Sequence, residues 1–239
     1  CENLQSITIP TSVTKIGYSA FRDSGLVEII IPNSVVEIDT YTFKDCKSLT
    51  TVTIPDSVTK IGHGAFQESG LVDITLPNSV TEIEASAFKG CIKLTSISIP
   101  ESMVEIKDRV FYRCQDLRSV TIPDSIAKIG VFAFCSCVSL TTIAIPDSVT
   151  NIEGGAFSHC RSLSRANISN SIKEIKERTF DHCYNLTSVT IPKSVNTIQQ
   201  GAFLGCKNLE SATFLNPKVG IVADAFWGCE KLSVFYQSD

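Results

Sequence analysis

The chain has no run of about 20 consecutive apolar residues, so no segment of its 239 residues is long enough to span a bilayer as a helix. A charged stretch followed by an apolar one is also missing near the N-terminus, so no export signal is expected within these residues. Basic blocks are absent too. The 21 Lys and Arg are interspersed with 25 Asp and Glu for a net charge of −4, which removes the electrostatic footprint of a nucleic-acid binder. Ten cysteines occur without one Cys-x-x-Cys pair, and there is no Gly-rich phosphate loop and no Ser-His-Asp arrangement. A hydrophobic fraction of 43% with 19% charged residues excludes a disordered tail and is enough for an extended core.

What the sequence does have is a repeat. Leu4, Leu26, Leu49, Leu71, Leu94, Leu117, Leu140, Leu163, Leu186, Leu209 and Leu232 follow one another at 22 residues twice and at 23 otherwise. Self-similarity at this period is the mark of a stacked-repeat architecture. With each Leu as offset zero, offset +12 is always Ile (Ile16 to Ile221) and offset +17 always Phe (Phe21 to Phe226). Offset +8 is Ser in nine of ten repeats and offset +6 is Pro in eight. The chain starts at Cys1, in mid-repeat and without an initiator Met, so it is expected to be a piece or processed form of something longer.

These columns translate into one rung. In "LTSISIP" the apolar +3 and +5 alternate with polar +2 and +4, the period of a strand with one buried face. Proline at +6 lacks a donor and ends the strand's ladder, and the +8 Ser hydroxyl is expected to satisfy turn backbone. "SVTKIG" predicts a second extended segment with Val13 and Ile16 inward. "GAFQES" and "SAFKGC" space Ala, Phe and Cys as one short helical or 3₁₀ turn would. The expected fold is a mostly-β repeat solenoid with a parallel sheet over residues 1–239, on the order of 50 Å long at about 4.8 Å per rung.

Together the columns spell Leu-x-x-Ile-x-Ile-Pro-x-Ser-Val-x-x-Ile-Gly-x-x-Ala-Phe-x-x-Cys, which resembles the BspA-like class of leucine-rich repeats of bacterial and protist surface proteins. The resemblance covers essentially the whole chain. It implies a right-handed, curved leucine-rich-repeat solenoid and adhesion to host matrix proteins or other cells. Departures gather at the C-terminal end, where Phe214 takes a strand core position and Pro217 the Ser place, as in a divergent rung covering the core.

Nine cysteines, from Cys1 to Cys229, share one offset. Parallel Cβ vectors on stacked rungs are poor for disulfides, so buried free thiols acting as small hydrophobes are expected. Cys135 stands at +18, where other repeats have Arg22, Lys44, Gln67 and Lys89, and is expected to be exposed and reactive. His159 and His182 share an offset in adjacent repeats; a solvated face is the preferred reading and a shared metal the alternative. The +11 column, Lys15, Glu37, Lys60, Glu82, Glu105 and Lys128, reads as a charge ladder along the stack. Tyr41, Tyr112, Phe132 and Trp227 are expected to be exposed, with an apolar patch near Cys135.

The outward strand positions +2 and +4 form a mostly neutral Ser/Thr face, for which Thr packing along the ladder is the plain reading. Its irregular points are Glu28, Ile30, Asp73, Arg165 and Asn167, the candidate partner-binding residues of a concave protein-binding face. No catalytic residue, cofactor or metal is expected, and neither nucleic acid nor a transmembrane segment enters the reading. The expectation is a secreted or surface-attached protein-interaction module. The rival is the recognition arm of a larger enzyme or receptor.

Overall fold

The alternating segment after each leucine folds as the strand its period predicts. The computed structural model describes residues 2–236. Parallel ladders join Glu28–Ile30 to Thr51–Thr53, Ser96–Ser98 to Ser119–Thr121 and Thr142–Ala144 to Arg165–Asn167, and link Ser188–Ile191, Ser211–Phe214 and Ser233–Tyr236. Every register pairs like offset with like, as Ile97 with Val120, so identical columns stack and each strand keeps the same side inward. Not every rung completes this face: segments 6–8 and 73–75 form no strand, so Asp73 lies outside the ladders. A second set of two-residue strands runs along the Ile column, from the Ile16–Ile38 bridge to Thr197–Ile198 and Gly220–Ile221.

Between the two ladders, Pro-x-Ser-Val forms a β-turn in which the Val35 amide donates to the Pro32 carbonyl at 3.0 Å and Val58 to Pro55 likewise. The serine acts differently from the expectation of a local turn bond. In four rungs its hydroxyl crosses to the preceding rung, from Ser34 to the Val13 carbonyl at 2.6 Å through to Ser102 to Val80 at 2.5 Å, whereas the buried hydroxyls of Ser125, Ser148 and Ser194 have no partner.

The third side of each rung is a run of hydrogen-bonded turns. No helix forms among the described residues, which corrects the expected helical or 3₁₀ turn. The physical reason is a left-handed residue twice in each of the first nine repeats. Offsets +15 and +19 take positive φ, as Phe132 (54°) with Ser136 (62°) and Arg178 (54°) with His182 (56°). A right-handed helix cannot pass through such residues. In exchange, every second amide is free to bond along the stack: Phe111 to the Ala133 carbonyl at 2.9 Å and Arg113 to Cys135 at 2.8 Å. A helix would have spent those donors inside one rung, leaving nothing to hold its neighbour.

Side chains repeat the same logic. The rings of Phe21, Phe43, Phe66, Phe88, Phe111, Phe134, Phe157, Phe180, Phe203 and Phe226 stack in one unbroken column, at centroid separations from 4.9 to 5.7 Å. Leu, Ile and Val columns fill the rest of the core. At the C-terminal end Phe214 is fully buried and meets Phe226 edge-on, closing one side of the core, while Ile221 and Val222 stay exposed on the other.

The charge ladder differs from the single column expected. Of the +11 residues, Lys60 and Glu82 pair at 3.2 Å, but Lys15 reaches Asp39. The main network spans two columns either side of Ile83: Lys60 and Lys107 each contact both Glu82 and Glu84, at 2.6 to 3.3 Å. Opposite charges on neighbouring columns satisfy stacking as well as alternation within one column does.

Candidate functional site

Two faces of the solenoid carry polar side chains not used by the core. On the strand face the exposure pattern of Arg165–Asn167 is out-in-out, so Arg165 and Asn167 project together around the buried Ala166. They border a hollow of about 370 Å³ with Asn170, Ser188, Thr190 and Pro192. Glu28 and Ile30 project together in the same way on their own strand, with Ile30 70% exposed. Asp73 is exposed on a segment that forms no strand. The five candidates thus fall into separate groups. From Glu28 to Arg165 is six rungs, roughly 30 Å at the strand spacing, which no small ligand bridges.

Among the described residues, the side chains of Glu28, Asp73, Arg165 and Asn167 take part in no ion pair and no hydrogen bond within the protein, whereas Lys107, Glu84, Lys176 and Glu153 are all paired. A second hollow, of about 690 Å³, lies beside Ser98 and Thr121 and is bordered by Asn78, Glu101 and Asp124. These three share offset +7, a column that is Asn, Asp or Glu in eight of ten repeats and that sequence reading passed over. The column signal was present; what hid it was its place in a turn, where Asn and Asp are common for conformational reasons alone. Three of its members are already engaged: the Asn170 amide donates to Asp147 Oδ1 at 2.8 Å, holding that carboxyl below its usual range, and Asn216 Nδ2 donates to the Val195 carbonyl at 2.8 Å.

The turn face carries a groove of about 620 Å³ lined by Lys89, Arg109, Tyr112, Phe132, Cys135 and Arg178, among others. Cys135 is 5% exposed, which corrects the expected reactive thiol. Lysines at the same offset keep their ammonium in water on a long stem. The cysteine stem is too short to follow them out, and burial pushes its thiol up. The aromatics near it are half-buried, so the expected exposed patch is a groove wall. Trp227, at 73%, is exposed as expected. The column thiols are free and buried from Cys46 to Cys206, with Cys229 half-buried and Cys1 outside the described residues. They are more than small hydrophobes, because each donates its S–H to the phenylalanine carbonyl of the preceding rung, as Cys114 does to Phe88 at 3.2 Å.

The model of the BspA type leucine rich repeat region matches in six copies, over residues 1–118 and 104–233. The chain belongs to this family. Similar folds are seen in solved structures of leucine-rich repeat proteins. A leucine rich cell surface protein from Faecalibacterium prausnitzii is 31% identical with a TM-score of 0.62, over 95% of this chain and 64% of that one, so the chain spans less than two thirds of that relative. A leucine-rich repeat protein from Bacteroides ovatus is 25% identical with a TM-score of 0.61, over 98% of this chain and 72% of that one. A leucine rich repeat protein of T. pallidum is 30% identical with a TM-score of 0.56, over 77% and 78%. No curated protein matches. The BspA-type repeat is thus a leucine-rich solenoid of the kind found in surface proteins, an architecture suited to protein interaction. Among the described residues there is no helix long and apolar enough to cross a membrane.

Proposed function

We propose that this chain is a non-catalytic protein-protein interaction module of a secreted or surface-attached protein, an adhesin that engages host matrix or cell-surface proteins through its strand face. The observation that carries this reading is the unspent polar set on that face. Among the described residues the side chains of Arg165 and Asn167 border a hollow and make no hydrogen bond or ion pair, while Lys107 and Glu82, and Lys176 and Glu153, are tied together. The roughly 30 Å between the two ends of the set suits an extended protein surface. The cell-surface relative from Faecalibacterium prausnitzii supports the location.

The test is binding of the purified chain to immobilised fibronectin, fibrinogen and whole epithelial cells, with Arg165→Glu plus Asn167→Lys as the comparison. Saturable binding that this pair weakens about tenfold or more, the loss of one hot spot, supports the reading. A folded chain that binds none of these surfaces shifts the reading to the recognition arm of a larger enzyme or receptor.

A further inference from the structure

Three potential metal ligands converge on the turn face, away from the strand face proposed above. His159 and His182 occupy the same offset in adjacent rungs, and in-register stacking lays one imidazole over the other at 4.7 Å and 23°. Asp181, one residue before His182, turns its carboxylate into the same place, where it contacts His182 Nδ1. One donor atom from each of the three residues lies within 4.8 Å of the others. Asp181 is 5% exposed, and among the described residues the only other side chain bonded to its carboxylate is Ser158, whose hydroxyl donates to Oδ2 at 3.4 Å. An ionised carboxylate buried this far is costly unless a cation shares the site. Equivalent positions in other rungs hold Lys44, Gln67, Lys89, Tyr112 and Leu204, so the repeat itself does not require an acid there.

We infer that His159, Asp181 and His182 form a site for one divalent transition-metal ion of the zinc class. Two imidazoles and one carboxylate favour zinc, copper or nickel over magnesium and calcium, which prefer all-oxygen ligands. Donors on a tetrahedral zinc stand roughly 3.5 Å apart, and rotation of the half-buried His159 ring closes the present spread. Ser158 is the outer-shell partner that fixes the carboxylate. The fourth position faces the turn-face groove, which His159 and Asp181 help to line. Gly205, next in the histidine column, has φ +66° and leaves the outer face of His182 uncovered; a Cβ there would stand 3.4 Å from Nε2. Arg161 and Arg178 lie near enough to His159 to oppose a cation, which sets the affinity below that of a closed structural zinc site.

The test is titration of the full chain with Zn²⁺ against a chromophoric chelator, repeated with Mg²⁺ and followed by Co²⁺ absorption, which separates nitrogen and oxygen ligands from thiolate. The expected result is one Zn²⁺ per chain, no response to Mg²⁺ and a cobalt spectrum without a thiolate charge-transfer band. His159→Gln and His182→Gln should each weaken binding by at least about tenfold, with Asp181→Asn losing about 10–100-fold and His63→Gln unchanged. Thermal melts run alongside separate lost binding from unfolding: Zn²⁺ should raise the Tm of the unmodified chain and leave that of the folded His variants where it was. Absence of binding, a thiolate band, or full binding by the double His variant would overturn the site.

Discussion

The thiol of Cys137 donates to the carbonyl oxygen of Phe111 in the preceding rung at 3.2 Å, and the same carbonyl accepts the amide of Cys114 in its own rung. One phenylalanine carbonyl thereby closes its own turn and ties down the next. The two 22-residue repeats show the same position under a different residue. There Ser24 and Ser69 stand in the cysteine column and meet the next thiols, Cys46 and Cys91, at 3.3 Å.

Cys137→Ala removes this donor and leaves a small void. It should destabilise the chain by about 1–2 kcal/mol, from one net hydrogen bond and the lost packing. Cys137→Ser, which keeps a donor, should show that the bond matters by costing less than Cys137→Val. Denaturant melts check the order.

Native thiol labelling should begin at Cys229. That thiol is half-buried, and a hydrogen bond from Cys206 holds it below the usual thiol range. Burial pushes Cys91 up to about 12 and raises Cys114, Cys137 and Cys183 as well. Peptide mapping after brief labelling at pH 8 should place the first modification at Cys229 and little at Cys135; early modification of Cys135 would show that its burial is wrong.

Phe111→Ala opens the ring column between Phe88 and Phe134, which stand 5.7 and 5.3 Å away. The expected cost is roughly 3–5 kcal/mol from transfer and cavity terms. Phe21→Ala, at a half-buried end of the column, should cost clearly less in the same melt.

Gly155 sits at φ +65° under the ring of Phe132, whose edge occupies the place of a Cβ. Gly155→Ala should therefore destabilise by more than the roughly 1–2 kcal/mol of a left-handed alanine. Adding Phe132→Ala should return part of that loss, because the steric share vanishes and the backbone share stays. Simple additivity in this double-mutant cycle would refute the contact.

Lys107 and Lys60 hold the Glu82 carboxyl down at about 2, from an ordinary 4.5. The folded value lies below the unfolded one, so the pair's stabilisation is fully present above about pH 4.5 and fades as pH falls toward about 2. Glu82 is more than a third exposed, so solvent screening keeps the effect small. Lys107→Met should lower Tm at pH 7 and converge with the unmodified chain at the acid end. A constant gap across that range would assign the loss to packing instead.

The repeat, the two strand segments, the inward Leu, Ile and Phe columns and the buried thiols were legible because each rests on a periodicity that stacking multiplies. Arg165 and Asn167 on one strand, and Glu28 with Ile30 on another, were legible for the same reason: alternation fixes which side a strand residue faces. The turn segment was misread as helical because Ala, Phe and Cys fall at helical spacing. Spacing carries no information about the sign of φ at Arg109 or Arg113, both left-handed here. The exposure of Cys135 was misread because an offset places a backbone position, while side-chain length decides whether its end reaches water. The stacking of His159 on His182 was legible from their shared offset, but the arrival of Asp181 beside them was not. Residues 22 positions apart become neighbours only when rungs stack, and the direction in which a carboxylate turns is set by the turn dihedrals and by Ser158 beside it. Sequence by itself determined the one-dimensional order of this protein, since a repeated column needs only register to become a ladder. Tertiary structure decided everything that depends on side chains crossing between columns, because those contacts follow from dihedral angles and reach that no periodicity records.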